Sequence, residues 1–229
     1  MTLPPGQHAV EGFPRFGTHL HRPPPSVPAD PVIECDGALT EALTLSLTDL
    51  AALPRQKIRA DFHCVAGWSA TNLAWEGVAF ETFYRIRAEP LLAPDASISH
   101  VVFEGLDGYR SIVLIVDALA DDVLIADRLN GKPIDIDHGA PIRLISPSQY
   151  GFISTKHLCR IEFHTSEPQE HHQPSRFIER GLALVKPHPR ARVWQEERHR
   201  YLPARLLRPV YRRLIAPIAA LSARGSRAQ

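Results

Sequence analysis

Apolar and polar residues alternate along Lys57–His63 (KIRADFH), which predicts a strand that delivers Cys64 to a turn at Gly67. Upstream, Val32–Asp36 and the stretch around Leu43-Thr44-Leu45 read as two strands joined through Gly37. Ser46 and Asp49 offer N-cap chemistry for a short helix that stops before Pro54. After the cysteine turn, Trp68 and Trp75 flank a polar loop, and Thr82–Arg87 resumes the alternation. Ile98–Phe103 and Ser111–Val116 are β-branched runs around a loop with Gly105 and Gly108, the pattern of a hairpin or of neighbouring strands. Asp121–Asn130 has Val123, Leu124, Ala126 and Leu129 at helical spacing, acids at its start and Gly131 behind it, which predicts a helix. Ile142–Ser146 predicts another strand. Short strands mixed with short helices predict an α+β fold, with mixed β-sheets and peripheral short helices rather than regular alternation.

The two ends depart from this pattern. Residues 1–30 are rich in proline and carry no apolar run long enough for a signal peptide or a membrane span; they read as an extended arm. Residues 31–165 hold the regular elements. Residues 166–229 form a C-terminal extension with ten arginines beyond Pro189. Within it Leu207, Val210, Tyr211, Leu214, Ile215 and Ile218 recur at helical spacing, between Arg205, Arg208, Arg212 and Arg213. This basic amphipathic helix, interrupted by Pro209 and Pro217, is suited to docking on its own domain, on a partner or on an anionic membrane surface.

Composition narrows the function. A formal net charge of +1 over 229 residues gives no global field for nucleic acid, and no nucleic-acid partner is expected. Three scattered cysteines fit neither a disulfide framework nor a CxxC zinc site, and they suit a reducing compartment. His171-His172 lacks further ligands at metal-binding spacing.

Asp61–Val78 (DFHCVAGWSATNLAWEGV) places one thiol beside a glycine turn and two tryptophans. Such a thiolate is a soft metal ligand or a nucleophile. Neighbouring residues of a strand point to opposite faces, so His63 does not reach the Cys64 sulfur, and the metal reading is the better one. The alternative is an ordinary buried cysteine. A second constellation, Asp137–Arg160, sets His138, Arg143 and Lys156 among Gly139, Pro141, Pro147 and Gly151. Fixed cations with glycine loops grip phosphate, Arg as a planar fork and Lys as a point charge. A solvated charged surface is the plainer reading of the same residues.

HCVxGWS followed by WxGV, and HGxPxRLxxPxxYGxxxxKxLxxIE some 75 residues on, resemble the molybdopterin-dependent oxidoreductases of the sulfite oxidase superfamily, in particular its single-domain bacterial, methionine-sulfoxide-reductase-like branch. The resemblance covers about residues 31–163 and implies a sulfite-oxidase-like molybdopterin-binding fold with molybdenum-molybdopterin as cofactor. It makes Cys64 the molybdenum ligand and the catalytic residue. It places His138, Arg143 and Lys156 on the pterin phosphate, with Thr155 beside them. It assigns Phe16, His19 and His63 to the cofactor's surroundings, since the family's N-terminal arm passes over the pterin.

The function this resemblance implies is oxygen-atom transfer on a small substrate such as a sulfoxide or sulfite, with electrons exchanged with an external carrier. The extra cations over the metal, the dimerisation domain and the haem domain of sulfite-oxidising members are not evident, which weighs against sulfite itself. Many relatives are exported by a twin-arginine signal; none is seen in residues 1–31, so a cytoplasmic location is expected. Two alternatives stand beside the enzyme: a non-catalytic cofactor-binding or scaffold protein of the same fold, and a metal-free thiol enzyme.

Overall fold

The structure, a computed structural model, describes residues 2–16, 23–169 and 186–226. His19 and the pair His171-His172 lie outside the described residues.

Two mixed sheets carry the fold. The first has β1 (His8–Ala9), β5 (Trp68–Ala79), β8 (Leu124–Leu129) and β10 (Arg143–Ile145) in that order, with β4 (Arg55–His63) also paired to β5 and β9 (Lys132–Pro133) to β8. The second runs β3 (Leu43–Ser46), β2 (Val32–Gly37), β11 (Leu158–His164), β6 (His100–Gly105), β7 (Arg110–Leu114). Pairing is antiparallel except for β1 with β5 and β11 with β2. The mixed α+β architecture expected from the strand pattern is the one observed.

The first sheet is buried on both faces, and this fixes the geometry of the site. Val78, Ile125 and Leu144 point into a core shared with the second sheet, where they meet Ile33, Phe80, Phe103, Ile161 and Phe163. Their strand neighbours Leu124, Ala126 and Ile145 point the other way, to Cys64, Trp68, Ala70 and Trp75. A strand covered on both faces reads as an unbroken apolar run, which period alone does not separate from a helix. That is why 121–130 looks helical in sequence yet folds as β8. Likewise the two tryptophans do not flank a loop but lie within the twelve-residue strand β5, both almost fully buried.

Thr82–Arg87 is also corrected. α2 (Phe80–Phe83) runs directly into a π-helical turn, Tyr84–Ala88, which buries Phe80, Phe83, Tyr84 and Ala88. The spacing 80, 83, 84 is helical, and the apparent alternation at 82–87 comes from polar residues on the outer face. The short helix α1 (Leu47–Ala51) follows its capping signal: the Asp49 amide donates to Ser46 Oγ at 3.1 Å, and the Ser46 amide to the Asp49 carboxylate at 3.0 Å. α3 (Ile115–Ala118) ends the run after β7.

β5 approaches β8 closely at Gly77. A Cβ there would stand 2.1 Å from the Ile125 carbonyl oxygen and 2.6 Å from the Ala126 Cα, both backbone atoms with no room to yield. Gly77→Ala is therefore expected to cost about 1–3 kcal/mol. The urea midpoint measures this, and an unchanged midpoint would show that the strands part at this point.

The C-terminal helix α4 (Ala204–Ser226) contains Pro209 and Pro217 and packs on the domain's own surface. Tyr211 and Ile215 join the Cys64 cluster, while Leu206, Val210 and Leu214 form an exposed stripe. No helix among the described residues is long and apolar enough to cross a membrane.

Candidate molybdopterin site

β4 ends at His63 and hands the chain to the cysteine turn. The Cys64 amide donates to the Trp68 carbonyl at 2.8 Å, and the Gly67 amide returns to the Cys64 carbonyl at 2.9 Å. Gly67 needs its positive φ of 98° here, and a Cβ would sit 2.9 Å from the Gly6 carbonyl oxygen. The N-terminal segment ties itself to this turn. β1 pairs with β5, Gln7 Nε2 donates to the Cys64 carbonyl at 3.0 Å, and Ser69 Oγ donates to Gln7 Oε1 at 3.0 Å. Ser69 in turn accepts from His63 Nδ1 at 2.7 Å. His63 is thus occupied by Ser69, as the opposed strand faces require, and serves the site by bracing the turn. Burial holds its ring below the usual histidine range, with Asp61 opposing.

Cys64 is 7% exposed and lies among Trp68, Trp75, Phe13 and Phe16. Burial pushes its thiol up to about 12; a backbone bond from Ala66 and the charge of Arg198 pull only weakly the other way. Phe16 stands edge-on to Trp68, with ring centroids 5.5 Å apart. Phe13 reaches further. It meets Trp75 at 5.8 Å, Phe62 at 4.9 Å and stacks on His138 at 4.8 Å, so the aromatic wall runs from the cysteine to the cations. The indole nitrogens of Trp68 and Trp75 are buried and have no hydrogen-bond partner among the described residues, two donors awaiting an acceptor.

The cations of the second motif lie close together. Arg143 is 0% exposed; its guanidinium donates to the backbone carbonyls of His138 at 2.7 Å, Ser154 at 3.0 Å and Leu144 at 3.3 Å. Among the described residues it makes no ion pair, and it lies over the rings of Phe62, Trp75 and Phe13. Lys156 Nζ donates to the Asp137 carbonyl at 2.5 Å. Gly139, with φ of 112°, lets the two cations meet, since a Cβ there would lie 3.0 Å from the Lys156 Cβ and 3.2 Å from that of Arg143. One ring nitrogen of His138 lies 2.7 Å from the Asp135 carboxylate and the other 2.7 Å from the Phe13 carbonyl.

Burial, reinforced by Arg143 and Arg15, pushes Lys156 down to about 7 against the pull of Asp137 and Asp107. Burial alone takes Arg143 down to about 9, with Asp135 opposing. Two buried cations that depress their own charge are the mark of a site built for an anion.

Thr155 does not join them: its hydroxyl lies 2.8 Å from that of Ser111, and its amide donates to the Ile153 carbonyl. Phe13, Arg15, Gln7 and Arg198 carry no signal in the sequence that marks them for the site. Arg198 is 1% exposed, donates to the carbonyls of Val65, Pro5 and Gly6, and so locks the turn against both termini. It sits in the charged run Gln195–Arg200, where nothing distinguishes it from a solvated side chain.

Among the described residues no cluster of three or more histidine, cysteine or acidic side chains could hold a metal alone. A metal at Cys64 must bring its other ligands with it, as a dithiolene does. A buried soft ligand, an aromatic wall with orphaned N–H groups and two buried cations that form no ion pair among the described residues fit a phosphate-bearing metal cofactor.

Comparison with known proteins leads to the same class. The family described as "Oxidoreductase molybdopterin binding domain" matches residues 21–172. The uncharacterized oxidoreductase YuiH of Bacillus subtilis (strain 168) is 30% identical over 162 residues, 71% of this chain and 74% of that one. Mitochondrial sulfite oxidase of Drosophila melanogaster is 30% identical over 71% of this chain, which spans 32% of that protein. The sulfane dehydrogenase SoxCD from Paracoccus pantotrophus shares the fold, with a TM-score of 0.54 at 20% identity over 72% of this chain and 44% of that one. The chain belongs to the molybdopterin-binding oxidoreductases. It is an oxidoreductase of the sulfite oxidase superfamily, whose cofactor is molybdenum-molybdopterin.

Proposed function

We propose that the domain transfers an oxygen atom to or from a small substrate, with Cys64 as the protein's ligand to molybdenum and Arg143, Lys156 and His138 on the pterin phosphate. Bound there, molybdenum-molybdopterin would supply a two-electron centre able to exchange an oxygen atom. Water is the source or sink of that oxygen, and two electrons and two protons pass to or from an external carrier. The chain's part is to hold and desolvate: Trp68, Trp75, Phe13 and Phe16 exclude water, and the Gln7–Ser69–His63 chain fixes the turn bearing the ligand.

The observation that carries this reading is the buried Arg143–Lys156 pair, joined by an aromatic wall to a buried thiol. A metal-free thiol enzyme would need a base on Cys64, and His63 is directed to Ser69 instead. Near-stoichiometric molybdenum and pterin in the purified protein are the expected result; absence of both removes the reading. A screen of sulfoxides, N-oxides and sulfite with an artificial donor or acceptor then identifies the substrate.

The cation pair also predicts a pH dependence. Lys156 titrates near 7 when its anion is absent, so above that pH an incoming phosphate must restore the lost proton. Phosphate monoesters are dianions above about pH 6, so retention should weaken as pH rises from 7 to 9. Pterin lost in a fixed dialysis at the two pH values measures this. Lys156→Arg, charged throughout, should flatten the difference; equal loss in wild type at both values would count against the contact.

A further inference from the structure

The C-terminal helix uses only one of its faces to pack on the domain. Tyr211 and Ile215 meet the Cys64 cluster, Arg208 is held by Glu196 at 2.7 Å, and Leu207 and Ile218 are half-buried. Another face is open. Leu206, Val210 and Leu214, each four residues beyond the last, are 64%, 53% and 42% exposed. At helical rise they make one aliphatic stripe about 12 Å long. Pro217 is exposed too, and the same spacing carries the stripe on to it.

Arginines border the open side of this stripe. Helical spacing sets Arg213 beside Leu206 and Val210, with Arg205 and Arg212 further round on the same side. All three are exposed and form no ion pair among the described residues. No acid in the local sequence opposes them: from Ala204 to Gln229 there are six arginines and no aspartate or glutamate. Aliphatic side chains held out of the fold beside unpaired guanidinium groups complement a surface that is apolar and anionic at once. A bilayer with acidic headgroups is such a surface. A protein partner matches less well, because protein interfaces anchor on buried aromatics and the stripe carries none.

We propose that α4 docks the domain on an anionic membrane surface, with Leu206, Val210 and Leu214 entering the headgroup–acyl boundary and Arg205, Arg212 and Arg213 on lipid phosphates. Four arginines between Ala204 and Arg213 keep the helix lying in the interface instead of crossing it. The docking depends on the helix alone, and it stands whether or not the Cys64 centre turns over an oxygen-atom substrate.

The test uses the full chain with vesicles of phosphatidylcholine alone, or of equal parts phosphatidylcholine and phosphatidylglycerol, and reads the bound fraction by flotation. Binding to the mixed vesicles and not to the neutral ones is expected, and it should weaken with added salt as exposed charges are screened. Arg205→Gln combined with Arg213→Gln should lower the affinity roughly fivefold for each charge removed. Leu206→Ser keeps every charge and should lower it roughly tenfold, the loss of one inserted aliphatic side chain. No binding, equal binding to both kinds of vesicle, or binding unchanged in the double arginine variant would overturn the anionic surface. Binding that Leu206→Ser leaves unchanged would overturn the insertion of the stripe. A lipid-free dimer in sedimentation that Leu206→Ser dissolves would put a second copy of the chain on the stripe and overturn the membrane assignment.

Discussion

Cys64→Ser should yield a folded protein that keeps its pterin but loses turnover and the sulfur-to-metal charge-transfer absorption. Pterin should stay because the phosphate contacts come from β10 and the loops around it, far along the chain from the cysteine turn. The turn should stay because its bonds are backbone bonds: Cys64 amide to Trp68 carbonyl, Gly67 amide to Cys64 carbonyl. Turnover should go because a hydroxyl is a harder and poorer donor than a thiolate, and the metal's potential follows its donors. A buried hydroxyl without a partner costs about 1–3 kcal/mol, too little to unfold a normal domain. The other two cysteines are controls. Cys35 is buried in the core between the sheets, and Cys159, on β11, contacts the Glu104 carbonyl. Changing either to alanine should lower stability and leave the metal spectrum intact. Full turnover and an unchanged spectrum in Cys64→Ser would show that the cysteine is a packing residue after all.

The candidate site stood out in the sequence more clearly than the fold around it. Cys64, His138, Arg143 and Lys156 announce themselves because each is a chemically distinctive side chain at a spacing tied to glycines and prolines. The strand that leads to Cys64 and the hairpin of β6 and β7 also follow from period. Where the sequence misled, two-sided burial was the cause: the apolar run of β8 faces two cores at once, so its period carries no information. Phe80–Ala88 misled for the opposite reason, a helical face too short to outweigh two turns of apparent alternation. Residues whose role is set by distant partners left no local signal. Arg198 meets Val65 across 133 positions, and Phe13 meets His138 across 125. Thr155 shows the reverse error, a motif neighbour whose hydroxyl faces Ser111 instead of the cations.

Arg143→Ala and Lys156→Met should both empty the pterin site, yet they should move stability in opposite directions. Arg143 is fully enclosed, and its removal orphans the carbonyls of His138, Leu144 and Ser154 and leaves a void among Phe13, Phe62 and Trp75. Each buried carbonyl left unsatisfied costs about 1–3 kcal/mol, so Arg143→Ala should lower the urea midpoint as well as empty the site. Lys156 is a different case. It gives up one bond, to the Asp137 carbonyl, and its folded pKa of about 7 lies below the ordinary lysine value, which means the fold disfavours its charge. Below pH 7 the lysine is charged in both folded and unfolded chains and the penalty is fully present; it fades as pH rises from about 7 toward the unfolded value. In cofactor-free protein at pH 6, Lys156→Met should therefore raise the urea midpoint, while in loaded preparations it lowers pterin content roughly tenfold or more, the loss of one charge-assisted contact. A residue kept at the expense of the empty fold's stability is kept for a ligand. If Lys156→Met lowers the midpoint at pH 6 and leaves pterin content unchanged, Lys156 is a structural cation and the phosphate lies elsewhere.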